Sequence, residues 1–305
     1  MNVDLSSGQL DGISLFAGSG LGLDEGLRLV LPRTRIICRV EREAYCCELL
    51  ATRCQEASLD DAPLWTDVRT FDGKPWRGVV DFITAGWPCP PFSVAGNRRG
   101  RHDPRYLWPE VVRILGEAQP WLFLGENVPG LLNDVDAWSE VCGDLREMGY
   151  RVAAGLFSAE EVGAGHRRKR LFILGLLSDG QSTRREEAGI RCYKHTRGES
   201  QARSGIVADI STSDGRAMDD TYGSGLQGRS KNQRADKLPA FPPGPKNTDA
   251  WRYVLEIDRS LEPAICGMAD GMACRMERLQ CTGNGVVPLQ AAYAFLSLWA
   301  ALEGG

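Results

Sequence analysis

Residues 12–22, G-I-S-L-F-A-G-S-G-L-G, decide how the chain folds. An apolar run long enough for one strand, residues 13–17, meets glycines at 18, 20 and 22 before an amphipathic stretch, 24–30. Glycine accepts left-handed backbone and lets another group approach the main chain closely. A strand that turns through glycines into a helix is how α/β proteins build a ligand cradle at the carboxyl edge of a sheet.

Outward from that turn the pattern repeats. Further strands are predicted over 36–40, 79–85, 121–125, 152–157 and 171–177, with helices over 43–53, 107–118 and 137–148 between them. Strand and helix in alternation predict an α/β fold, a doubly wound and mostly parallel sheet. Over 178–247 the character changes to Gly, Ser, Asp and Arg with little apolar periodicity. Order returns at W-R-Y-V-L-E-I (251–257), and the chain closes with T-G-N-G-V-V-P (282–288) and an apolar helix over 289–302. That helix needs a hydrophobic partner, which only the first domain offers. The expected organisation is a catalytic and cofactor-binding domain over 1–177, a basic recognition region over 178–255, and a return segment over 256–305.

Composition narrows the classes. In 305 residues, 43% hydrophobic and 25% charged is ordinary for a globular protein. No apolar run reaches the ~18 residues of a membrane span, and the N-terminus carries no secretory leader pattern, so a cytoplasmic protein is expected. Ten cysteines contain no C-x-x-C, and there are only three histidines, which argues against a metal site or a disulfide framework. Net charge is −4, but residues 165–246 hold 16 Lys and Arg against 9 Asp and Glu, a local +7 that leaves −11 elsewhere. A basic module in an acidic chain is suited to a polyanion.

Chemistry gathers at predicted strand ends. The glycine turn alone fits NAD, FAD, S-adenosylmethionine or an ordinary connection. Glu41, ending the second strand, is placed to accept from ribose hydroxyls, and Asp67 in W-T-D-V from an adenine amine. After 79–85 comes G-W-P-C-P-P-F-S (86–93), a cysteine fixed between prolines. Then L-G-E-N-V-P (124–129) ends an apolar strand on Glu126, whose burial would raise its pKa and suit it to donate a proton. Arg168 and Arg170 in G-H-R-R-K-R (165–170) alternate onto one face of a strand entry.

Singly, each of these has a structural reading. In this order they resemble the cytosine-C5 DNA methyltransferase family, of the compact bacterial and phage type, over residues 12–177 and 275–297. The resemblance implies a Rossmann-like S-adenosylmethionine-dependent methyltransferase fold. It places the cofactor against Phe16, Ala17, Gly18, Gly20, Gly22, Glu41, Asp67, Pro88, Asn284 and Val286, with S-adenosylhomocysteine as product and no metal. Cys89, Glu126, Arg168 and Arg170 take the catalytic positions, with Cys89 adding covalently to a flipped cytosine.

Ser93, Arg98, Arg99, Arg101 and Arg105 fall in a segment that would face DNA. The implied partners are duplex DNA and a cognate restriction endonuclease, with the chain itself monomeric; restriction-linked, phage-protective and regulatory roles stay open. The chain departs from the family pattern at Ser14, usually Asp, at Trp87, often Phe, and at His166, usually Gln. An RNA cytosine-C5 methyltransferase, a catalytically silent DNA-binding relative and a nicotinamide oxidoreductase are the competing readings. The last gives Cys89 and the closing motif no role.

Overall fold

In a computed structural model the described residues are 8–88, 105–177, 208–209, 252–253, 256 and 285–304. They form one eight-stranded sheet, β1 (Leu10–Leu15), β2 (Thr34–Val40), β3 (Leu64–Trp65), β4 (Phe82–Ala85), β5 (Leu122–Asn127), β6 (Tyr150–Ser158), β7 (Lys169–Leu177) and β8 (Ala208–Asp209). The helices are α1 (Leu23–Val30), α2 (Ala44–Gln55), α3 (Trp108–Ala118), α4 (Val135–Glu147) and α5 (Pro288–Gly304).

The spatial order is β3-β2-β1-β4-β5-β7-β6-β8. The first five strands are mutually parallel, and β7, β6 and β8 pair antiparallel. The chain leaves β1 toward β2 on one side and later returns to β4 on the other. That makes the β1–β4 junction the topological switch point, where doubly wound sheets hold ligands.

Alternation along the strands feeds two cores. On β7, Leu171 and Ile173 join one cluster, while Phe172 and Leu174 join the other. The first cluster lies under α3 and α4 through Val111, Ile114, Val141 and Leu145. The second lies under α1 and α5 through Leu27, Ala291, Phe295 and Leu298. Burying each of these large side chains stabilises the fold by roughly 1.5–3 kcal/mol before entropy is counted.

The apolar terminal helix finds its partner on α1, β6 and β7. Gly26 makes that docking possible, because a Cβ there would come within 2.5 Å of the Ala291 Cβ and 2.7 Å of the Pro288 carbonyl. Among the described residues no helix is long and apolar enough to cross a membrane.

Two boundaries differ from expectation. The first strand stops at Leu15, because Phe16 turns left-handed at φ 56 and starts the loop. The stretch 79–85 is strand only from Phe82, since Val79 and Val80 close a turn on Trp76. The region 178–255, apart from residues 208–209 and 252–253, lies outside the described residues.

Candidate active site

A cavity of ≈ 680 Å³ opens at the carboxyl ends of β1, β2, β4 and β5. Of the residues singled out in the sequence, Phe16, Ala17, Gly18, Gly22, Glu41, Asp67, Pro88, Arg105, Glu126, Arg170 and Val286 line it. Cys89, Ser93, Arg98, Arg99, Arg101 and Asn284 lie outside the described residues. Gly20 and Arg168 are described but do not line the cavity.

The floor at one end is the glycine loop. Phe16, Gly18 and Gly20 have φ of 56, 55 and 74, so left-handed residues recur along the turn. Phe16 holds a conformation that costs of order 1–3 kcal/mol unless its surroundings impose it. Glu41 does so from the end of β2. Its Oε2 accepts from the Gly18 N–H at 2.7 Å, and its Oε1 accepts from the N–H groups of Arg42 and Glu43 at 2.7 and 2.8 Å. The Arg53 guanidinium on α2 donates to the Ser19 carbonyl from the other side. Gly20 turns inward, where a Cβ would press on Leu50 and Leu59. Its glycine is therefore required by packing rather than by the cavity.

At the other end sits Glu126, 8% exposed. Its Oε1 pairs with the Arg170 Nε at 2.8 Å. Burial pushes the carboxyl up to about 7, against the opposing charges of Arg170 and Arg168. Near neutral pH the group therefore exists in both protonation states and can move a proton. Arg168 acts on Glu126 through its charge. Its backbone carbonyl accepts from Ala159 N and from the buried Gln290 side chain, which ties α5 to this end of the site.

Asn127 secures the neighbouring loop. Its Oδ1 accepts from Val128 N at 2.8 Å, and its Nδ2 donates to the Trp87 carbonyl at 3.1 Å. That second bond fixes the chain directly before Pro88. Trp87 fits in place of a smaller ring because Gly125 leaves room beside it, and it packs on Trp108 with centroids 4.8 Å apart. His166 is exposed.

A third buried acid in the cavity wall escaped the sequence reading. Asp24 in the first turn of α1 accepts from the Thr84 hydroxyl at 2.6 Å and from the Ser14 side chain. Ser14 and Thr84 are register partners on β1 and β4. The hint in the sequence was two hydroxyl residues inside otherwise apolar strands.

Comparison with known proteins places the chain in a class. Residues 10–240 match the family model described as C-5 cytosine-specific DNA methylase, and the chain belongs to that family. The type II methyltransferase M.BanI of Aneurinibacillus aneurinilyticus is 32% identical over 54% of this chain and 38% of its own length. M.BsuRI of Bacillus subtilis is 30% identical over 77% of this chain and 59% of its own. An orphan methyltransferase of Bacillus phage SPR, M.SPRI, is 32% identical over 56% of this chain and 39% of its own. The matched stretches thus span roughly two-fifths to three-fifths of these relatives.

Proposed function

We propose that the chain is a DNA cytosine-C5 methyltransferase, transferring a methyl group from S-adenosylmethionine to C5 of a cytosine flipped out of duplex DNA. The observation that carries this reading is Glu126, a buried carboxyl held near neutrality by Arg170 in the same cavity as Pro88 and the glycine loop. It gives a proton donor matched to neutral pH, next to the position from which a nucleophile would come.

The cavity suits the cofactor. Its volume accommodates a nucleoside with an amino-acid arm, and pocket volumes of ~300–1,000 Å³ are usual for such ligands. The left-handed loop brings backbone close to the ligand, and Tyr45, Asp67 and Val68 line the β2–β3 side where a nucleoside would rest. When bound, the cofactor supplies an electrophilic methyl group.

The rest falls to the chain's own residues. C5 of cytosine is a weak nucleophile, so the thiolate of Cys89 adds to C6 and releases the C5–C6 π pair toward C5. Glu126 gives a proton to N3 as negative charge develops there, and Arg170 holds the carboxylate that remains. Once C5 carries the methyl, its proton leaves to water. Cys89 is then expelled with the C6–S pair, the double bond re-forms, and N3 returns its proton to Glu126.

A base inside a duplex cannot meet a thiol this way, so flipping is required. We assign strand separation and base reading to the basic region 178–255, and phosphate contacts to Arg98, Arg99, Arg101 and Arg105. Relatives named type II and orphan methyltransferases are consistent with action either beside a restriction endonuclease or alone.

The full chain with labelled S-adenosylmethionine and mixed-sequence duplex DNA should produce 5-methylcytosine, and Cys89→Ser should abolish turnover. A fluorocytosine duplex should trap a covalent adduct with the wild type. Labelling of tRNA but not duplex DNA would assign the RNA reading instead, and robust turnover by Cys89→Ser would remove the nucleophile from the scheme.

A further inference from the structure

We propose that Asp24 is the cofactor-positioning carboxylate of the site, binding the α-ammonium group of the cofactor's amino-acid arm at the β1–β4 switch point. The inference rests on the S-adenosylmethionine reading above.

The placement follows from the order of groups along the cavity. The nucleoside side is fixed by Asp67 and Tyr45 beside β3 and β2, and the reacting end by Pro88 and Glu126 beyond β4 and β5. Strands lie about 4.8 Å apart, so β2 and β5 stand roughly 14 Å apart with β1 and β4 between them. The cofactor's sulfur carries three substituents. With the nucleoside directed to β2 and the methyl directed to Glu126, the remaining arm lies over β1 and β4, where Asp24 sits.

The other two buried acids of the cavity are already engaged. Glu41 accepts three backbone N–H groups, and Glu126 pairs with Arg170. Among the described residues Asp24 meets hydroxyls, those of Ser14 and Thr84.

The charged groups around Asp24 turn elsewhere. Arg28 on α1 pairs with Asp60 and Glu25, and Arg39 on β2 donates to the Asp60 carbonyl and to Cys54. Both lower the Asp24 carboxyl less than the hydroxyls do, and burial outweighs them all and raises it. A buried carboxylate in a cavity wall, with no direct cationic partner among the described residues, is stabilised by a cation that arrives with the ligand.

Calorimetric titration of the full chain with S-adenosylmethionine, S-adenosylhomocysteine and 5′-methylthioadenosine tests this, because the last ligand keeps the nucleoside and lacks the arm. Asp24→Asn should weaken both arm-bearing ligands by roughly 30-fold or more and leave 5′-methylthioadenosine within about twofold. Equal weakening of all three would make Asp24 a structural residue and overturn the assignment, as would unchanged binding of all three. Weakening of S-adenosylmethionine alone would move the contact to the sulfonium and also overturn it. Should Asp24→Asn fail to fold, Thr84→Val carries the test, with the same selectivity and a smaller loss. A wild type that binds none of the three ligands would instead refute the cofactor reading beneath it.

Discussion

The two ends of the cavity solve the problem of a buried acid differently. Glu126 is buried against a guanidinium on β7, and Asp24 is buried against two hydroxyls on β1 and β4. Burial raises both carboxyls, and both have something to pull them back. The difference lies in the opponent. A fixed cation leaves Glu126 poised at about 7, ready to exchange a proton in either direction. Hydroxyls stabilise a carboxylate without neutralising it, so Asp24 remains a site for an incoming cation. One sheet edge thus carries one acid suited to chemistry and one suited to binding.

The contrast breaks most visibly at Glu126. Glu126→Gln keeps the shape and removes the transferable proton, so turnover should fall by roughly 10²–10⁴-fold with S-adenosylmethionine affinity largely kept. In the wild type the protonated carboxyl is the active form, so steady-state rates should decline as pH rises through about 7. An unchanged rate in the variant, or a wild-type rate that climbs steadily to pH 9, would remove Glu126 as the acid.

Next in size is Arg170→Met. Its loss leaves Glu126 buried with, among the described residues, the charge of Arg168, and removing one partner of a buried pair costs on the order of 3 kcal/mol. The sign with pH is fixed by the direction of the shift. A carboxyl raised in the folded state gives stability that is fully present below its unfolded value of 4.5 and lost as pH rises through the folded value. Without Arg170 the folded value moves higher still. Denaturant unfolding should therefore show the variant's deficit constant from pH 5 to about 7 and growing as pH rises above it. A deficit independent of pH would show that Arg170 acts by packing alone.

The two acids also differ in how much of them the sequence reveals. Glu126 was legible because it ends the apolar run L-F-L-G, and period two puts such a residue at the rim of a buried strand. Asp24 was not. An aspartate in the first turn of a helix is ordinarily a solvated charge facing the helix dipole. Its burial depends on Ser14 and Thr84 arriving from separate strands, which is a tertiary fact. The left-handed Phe16 was hidden for a related reason, since the strain is imposed by the tie between Glu41 and the loop. The alternation of strands and helices gave the sheet its parallel half. The antiparallel pairing of β7 was not read from the sequence, and its reason is visible only with the observed strand ends: the ten residues between β6 and β7 are too few for a helical crossover. For 178–255 the basic composition suggested a polyanion as partner and specified no geometry.

The smallest effect is the sharpest test of the comparison. Asp24 is a buried acid raised by desolvation, so above the carboxylate range its ionised form costs the free protein stability that a neutral amide would not. Asp24→Asn should therefore melt above the wild type at pH 8 and show no advantage near pH 4. Saturating S-adenosylmethionine should reverse the ranking at pH 8, because the wild type gains more from a ligand it binds more tightly. Glu126→Gln should keep its ranking with or without ligand, since its partner is built into the fold. Thermal scans of the three proteins, with and without ligand, compare the two arrangements directly. A carboxylate kept for binding is a defect in the free protein that the ligand repairs, whereas one kept for proton transfer carries its counter-ion with it.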